Sequence, residues 1–150
     1  MRNIYLASDS RARKELLDVF GLKFKVIPSR IKEERKAANL SYAELVKSNA
    51  LAKAKNVAAR VKSGIIIGAD TIVVQEGKIF GKPKDLPDAR RMLKRLSRKP
   101  QWLYTGLALI DKDAEESACR RYSSKRSCIR HRHKMKLGYE KTKVYMDKLT

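Results

Sequence analysis

Serines and arginines cluster where a short apolar run gives way to a helix, in the stretch YLASDSRARKELLDVFG at residues 5–21. The first backbone N–H groups of a helix have no partner within it and carry the positive end of the helix dipole. An anion site is therefore one interpretation of the hydroxyl and guanidinium side chains here, those of Ser8, Ser10, Arg11 and Arg13. A capped helix with a solvated basic face is the other, and this stretch alone leaves both open.

A single carboxylate interrupts the apolar run IIIGADTIVV at residues 65–74. We expect Asp70 at a strand end or bulge, where burial can desolvate an acid or hold it ready to bind a metal. A turn aspartate that accepts hydrogen bonds from nearby backbone N–H groups is the alternative.

Two lysines could complete a positively charged cleft. Lys53 lies on an alanine-rich helix, and Lys82 stands between a glycine and a proline in FGKPKD, which constrains its backbone. Together with Arg13 they would face two acids, Asp70 and Glu33. That combination suits a polyphosphate with a divalent cation, since cations hold phosphates while acids hold the metal and activate water.

Alternating strands and helices must position these residues. The apolar patterns predict helices over 11–20 and 41–62 and a third that Pro87 begins. They predict strands at NIYLAS, at KFKVIPS, on both sides of a turn at Glu76 and Gly77, at QWLYTGLALID and over 139–150. This alternation predicts an α/β fold with a central mixed β-sheet flanked by helices.

The chain is short and strongly basic. Its 150 residues, 43% of them apolar, suit one domain, and its net charge of +20 favours an anionic partner. No apolar run is long enough for a membrane span or a secretory signal, so we expect a cytoplasmic location and no membrane partner.

The basic excess is spread along the chain, with one local concentration at residues 117–136, which hold eight Lys and Arg, no acid, and every Cys and His of the protein. We expect this segment not to pack, because it lacks periodicity and opposite charge. The spacing of Cys119, Cys128, His131 and His133 matches no standard zinc pattern.

Six segments, in order, resemble the Maf family of nucleoside triphosphate pyrophosphatases, which is related in fold to the inosine triphosphate pyrophosphatases. They are LASDSRARKELL, IKEE, ALAKAK, IIIGADTIVV, FGKPKD with the following DARRMLKRLS, and YTGLAL. The resemblance implies hydrolysis of a nucleoside triphosphate to the monophosphate and pyrophosphate, with Mg²⁺ or Mn²⁺ as cofactor.

The resemblance also implies roles by position. Asp70 matches the catalytic acid and, with Glu33, the metal ligands. Substrate binding falls to Ser8, Ser10, Arg11, Arg13, Lys53, Thr71 and Lys82. Arg11 stands where the family has a proline and Ala12 where it has its first arginine, so Arg11 enters this set as a substitute for that arginine from the neighbouring position. The pair Asp70–Thr71 resembles the branch that acts on dTTP and UTP, with modified nucleotides as a further substrate class.

We divide the chain, as a single Maf-like domain, into a well-matched part at 1–112, an atypical basic insert at 113–138 and a family-like strand at 139–150. The resemblance implies a homodimer and a fold that is incomplete at the C-terminus, because the family's later glycine-rich segment is not found. The alternative function is a catalytically impaired Maf-like fragment that binds nucleic acid through its cations, with salt-sensitive affinity.

Overall fold

The structure, a computed structural model, describes residues 2–35, 39–113 and 134–147. In chain order its elements are β1 (Ile4–Leu6), α1 (Arg11–Val19), β2 (Lys25–Val26), α2 (Tyr42–Ala58), β3 (Ile65–Gln75), β4 (Lys78–Phe80), α3 (Leu86–Leu96), β5 (Gln101–Asp111) and β6 (Lys134–Val144). Within these residues the strands form one mixed sheet flanked by helices, so the predicted α/β fold class is confirmed.

The sheet has the order β2-β1-β3-β5-β6, with β4 paired to the far end of β3. Strand β1 is parallel to both of its neighbours, whereas β5 is antiparallel to its neighbours β3 and β6. On β3, the short β1 pairs with Ile65, Ile66 and Ile67 alone. The rest of β3 therefore runs on past the carboxyl end of β1. A crevice forms there, lined by residues that follow β1 and by the middle of β3.

Helix α2 lies directly against the sheet because two facing strand positions carry no side chain. A Cβ atom at Gly68 would lie 2.2 Å from the carbonyl oxygen of Ala50, and one at Gly106 would lie 2.3 Å from that of Val46. Ala54 continues this close contact in the buried core. Side chains of α2 can therefore reach strand residues deep in the interface.

The opposite face of the sheet meets the end of α3. The side-chain amide of Gln75 donates to the carbonyl oxygens of Leu96 at 3.3 Å and Lys99 at 2.8 Å. Because side chains alternate along a strand, Gln75 and Asp70 point to opposite faces of β3. Asp70 thus faces α2.

Local signals in the sequence predicted several of these elements well. The turn between β3 and β4 is confirmed, with positive φ angles of 50° at Glu76 and 74° at Gly77, as a tight hairpin requires. The capping box of Ser41 and Glu44 opens α2 as predicted. The helix ends at Ala58 rather than at residue 62.

The chain differs from the prediction in two places. Strand β2 keeps only Lys25–Val26 of the predicted KFKVIPS. The last strand is Lys134–Val144 and so begins inside the segment assigned to the basic insert. The expectation that residues 117–136 do not pack falls mainly on residues 114–133, which hold every Cys and His and lie outside the described residues.

Helix α1 does not bury the apolar face that its sequence presents. Leu16, Val19 and Phe20 are 56%, 83% and 70% exposed. Among the described residues, no helix is long and apolar enough to cross a membrane.

Candidate active site

A cleft of about 600 Å³ opens beyond the carboxyl end of β1. The structure brings eight of the nine predicted site residues to its lining: Ser8, Ser10, Arg13, Glu33, Lys53, Asp70, Thr71 and Lys82. They come from the serine turn, α1, the loop after β2, α2, β3 and the segment after β4. The cleft has the size of a small-molecule site.

Arg11 is the predicted residue that the structure does not bring to this lining. Its side chain is 92% exposed, and its Nε donates to Oε1 of Glu15 at 2.7 Å. Two residues along a helix turn the side chain by about 200°. Arg11 and Arg13 therefore cannot both face the cleft, and it is Arg13 that does.

Asp70 is the most deeply buried acid of the cleft, at 2% exposure. The pairing of β3 with β5 runs unbroken past it, so the prediction of a strand end or bulge is wrong. Its Oδ1 accepts a hydrogen bond from Lys53 Nζ at 2.9 Å, and its Oδ2 accepts one from Asn49 Nδ2 at 2.8 Å. Two donors on α2 thus hold the two oxygens of one carboxylate.

Lys53 joins this carboxylate to a second one. Its ammonium group donates to the carbonyl oxygen of Ala69 at 3.1 Å and to Asp70 Oδ1, and it lies 2.5 Å from Glu33 Oε1. A lysine has three donors, and protein acceptors engage all of them. The side chain therefore stands between the two acids and presents no open donor to a phosphate.

Glu33 is held ionised by its neighbours. Burial by itself raises the pKa of Glu33, but the hydrogen bond and charge of Lys53, together with the charges of Arg35 and Lys82, outweigh it. The net effect lowers the pKa of Glu33 below its ordinary value. Its other carboxylate oxygen accepts a hydrogen bond from Arg35.

Arg13 connects the serine turn to β3. Its guanidinium donates to Ser8 Oγ at 2.9 Å and to Thr71 Oγ1 at 3.2 Å, and Thr71 bonds in turn with Thr105 Oγ1 at 3.1 Å. Burial lowers the pKa of Arg13, whereas the charges of Asp70 and Glu33 act in the opposite direction. Ser10, the N-cap residue of α1, lines the cleft without a side-chain cap bond.

Three residues of this network were missed from the sequence: Asn49, Arg35 and Thr105. Asn49 stands four residues before Lys53 in the sequence, and side chains at this spacing share a helix face. That spacing was the one signal that could have identified it. Arg35 and Thr105 become recognisable only when the loop after β2 and the pairing of β3 with β5 are known.

The donor set fits a divalent cation that a substrate helps to bind. Among residues 2–35, 39–113 and 134–147, no group of three or more His, Cys, Asp or Glu side chains could hold a metal ion. Two carboxylates, those of Asp70 and Glu33, are linked through Lys53. Mg²⁺ is commonly held by one or two carboxylates together with substrate phosphates.

A family model described as Maf-like protein matches residues 3–150 of the chain. The chain belongs to the Maf family. Two curated relatives are both named dTTP/UTP pyrophosphatase. The one from Ruminiclostridium cellulolyticum is 47% identical over 113 residues, which cover 75% of this chain and 58% of the relative. The one from Dictyoglomus turgidum is 44% identical over 115 residues, 77% of this chain and 60% of the relative.

This Maf chain spans about three-fifths of the length of these relatives. A solved structure, the Staphylococcus aureus Ham1 protein, aligns with 93% of the chain and 70% of its own length, with 14% identity and a TM-score of 0.48. The names of the curated relatives do not favour the alternative of a nucleic-acid-binding fragment.

Proposed function

We propose that this Maf protein hydrolyses dTTP and UTP, and modified nucleotides of the same class, to the monophosphate and pyrophosphate. The observation that carries the proposal is the pair of carboxylates, Asp70 and Glu33, linked through Lys53 in a cleft that Arg13 and Lys82 also line. The names of the curated relatives support the substrate class.

The reaction needs a base and a positively charged surface. A water oxygen forms a bond to the α-phosphorus, the bond from that phosphorus to the bridging oxygen breaks, and pyrophosphate leaves. The water gives up one proton, which the carboxylate of Asp70 accepts in this proposal. Each carboxylate oxygen has two acceptor sites, so Asp70 keeps acceptor capacity beside its bonds to Lys53 and Asn49.

Arg13 and Lys82 supply charge to the phosphates. Arg13 is oriented by Ser8 and Thr71, so its position is set before a ligand arrives. Asp70 and Glu33 would hold Mg²⁺ or Mn²⁺, which supplies further positive charge beside the phosphates when bound. The homodimer and the cytoplasmic location stay predictions from the sequence.

The test is pyrophosphate release from dTTP and UTP in the presence of Mg²⁺ or Mn²⁺, with dATP and GTP as comparison substrates. Asp70→Asn should lower the rate on the order of 100-fold or more, because it removes the base. Asp18→Asn, an exposed acid on α1, is the control and should keep full activity. The proposal is refuted if the unmodified chain releases no pyrophosphate from either nucleotide, or if folded Asp70→Asn is fully active.

A further inference from the structure

Asn49 uses every hydrogen of its amide in a buried position. It is 3% exposed. Its Nδ2 donates to the carbonyl oxygen of Glu34 at 2.9 Å and to Asp70 Oδ2 at 2.8 Å, while its Oδ1 accepts from the backbone N–H of Glu34 at 3.1 Å. One side chain thus ties a loop backbone and a buried carboxylate to helix α2.

These three bonds allow only one orientation of the amide. Rotation by half a turn would set Oδ1 against the carboxylate of Asp70 and against the carbonyl oxygen of Glu34, and would set the NH₂ group against a backbone donor. Each of the three contacts would become repulsive. The network therefore determines the direction of Asn49, and Asn49 in turn determines where a donor meets Asp70.

The same helix face controls both acids of the cleft. Lys53 follows Asn49 by one helical turn and takes Asp70 Oδ1, while Asn49 takes Oδ2. Glu34 neighbours Glu33, whose carboxylate reaches Lys53. Lys53 supplies the charge between the acids, and Asn49 supplies the directional bonds that hold one acid and the backbone beside the other.

We propose that Asn49 is a positioning residue, which keeps the Asp70 carboxylate and the segment carrying Glu33 in one fixed arrangement. The inference rests on the proposed function, since the arrangement matters for the cation and the attacking water. Without Asn49, Oδ2 of Asp70 loses its donor, and both backbone groups of Glu34 lose their partner.

Asn56 offers a matched control on the same helix. It lies two turns beyond Asn49, and its Oδ1 accepts from the backbone N–H of Arg30 at 3.1 Å. It therefore also ties the loop after β2 to α2, but its bonds go to Arg30 and Arg60 rather than to Asp70. Comparing the two asparagines separates loop attachment from the positioning of Asp70.

The experiment compares Asn49→Ala, Asn49→Asp and Asn56→Ala, each checked for folding by circular dichroism. Two quantities are measured: kcat and KM for pyrophosphate release, and the affinity for Mn²⁺, by electron paramagnetic resonance, with the α,β-imido analogue of UTP present. Removal of an outer hydrogen-bond partner typically costs about 10–100-fold in metal affinity or activity. Asn49→Ala should lose this much in kcat and in Mn²⁺ affinity, with KM within about threefold.

Asn49→Asp should lose as much, because its carboxylate can still accept from Glu34 but cannot donate to Asp70. Asn56→Ala should stay within about twofold of the unmodified chain in both quantities. The proposal is overturned if either Asn49 variant matches Asn56→Ala in kcat and Mn²⁺ affinity. It is also overturned if neither Asn49 variant folds while Asn56→Ala does, since Asn49 would then serve folding alone.

The two measurements keep this proposal apart from the proposed function. A chain that binds Mn²⁺ but releases no pyrophosphate refutes the proposed function, and the Mn²⁺ comparison still decides the role of Asn49. A chain that neither binds Mn²⁺ nor hydrolyses dTTP or UTP overturns both.

Discussion

Replacing Gly106 by alanine should separate α2 from the sheet and weaken the site at the same time. Gly106 is the cross-strand partner of Asp70 in the pairing of β3 with β5. An added Cβ would lie 2.3 Å from the carbonyl carbon and oxygen of Val46 and 2.7 Å from the backbone nitrogen of Lys47. These are backbone atoms of α2, so no side-chain rotation can relieve the clash.

The expected size of the effect follows from these distances. Ordinary van der Waals contact begins at 3.4 Å, so α2 would have to retreat by about 1 Å. The bonds from Lys53 and Asn49 to Asp70, now 2.9 Å and 2.8 Å, would then exceed hydrogen-bonding distance. We expect a loss of about 3 kcal/mol in unfolding free energy, at the upper end for overpacked cores, and a fall in kcat of at least about tenfold.

Thermal unfolding and pyrophosphate release measure the two effects. A loss of about 3 kcal/mol corresponds to a fall in Tm of roughly 6–12 °C for a chain of this size. Gly138→Ala is the control, because a Cβ there meets no atom within 4 Å, and it should change the unfolding free energy by less than about 0.5 kcal/mol. Equal stability and activity of the two variants would refute the idea that Gly106 sets the distance of α2 from Asp70.

Two further predictions concern the charged groups of the cleft. Because the folded-state pKa of Glu33 is lowered, its stabilising contribution is present above the unfolded pKa and is lost as the pH falls through the folded value. The difference in unfolding free energy between the unmodified chain and Glu33→Gln should therefore shrink between pH 7 and about pH 3.5, and urea unfolding that shows it growing would contradict this. Arg13→Ala and Lys82→Ala should each weaken turnover of dTTP on the order of 10–1000-fold, with a non-additive double variant, whereas exposed Lys62→Ala should change little. Steady-state kinetics with dTTP test this. Turnover rates of Arg13→Ala and Lys82→Ala equal to the turnover rate of Lys62→Ala would exclude a ligand shared by Arg13 and Lys82.

Local rules were sufficient for most of the secondary structure. The S-x-x-E pattern at Ser41 places the start of α2, and Gly77 marks the hairpin, because these signals depend on a few adjacent residues. Eight of the nine predicted site residues also line one cleft, while their roles stay predictions. Its residues come from segments that the family resemblance aligns in order, and the sheet then brings those segments together.

What the sequence could not predict depends on distances between elements. Lys53 was expected to face Asp70 and Glu33 and to bind substrate, and the close approach of α2 brings its ammonium into direct contact with both acids. Its role toward a substrate stays a prediction, but this direct contact could not be read from the sequence. The apolar pattern over 11–20 predicted the helix α1 but not its surroundings, and Phe20 is 70% exposed. In each case the residue type was known from the sequence, but the packing of other elements around that residue was not.

The arrangement divides the cations of the cleft into two kinds. Two buried carboxylates close together would repel each other, and the ammonium of Lys53 offsets that repulsion, since it lies within 2.9 Å of both. This engagement leaves Lys53 with no donor for a ligand. In the proposed function the negative charge of a triphosphate would therefore be met by other cations, and Arg13 and Lys82 line the same cleft. Among the described residues Arg13 bonds to neutral hydroxyl groups and forms no direct ion pair with an acid, so in the proposed function its charge is available to an entering anion.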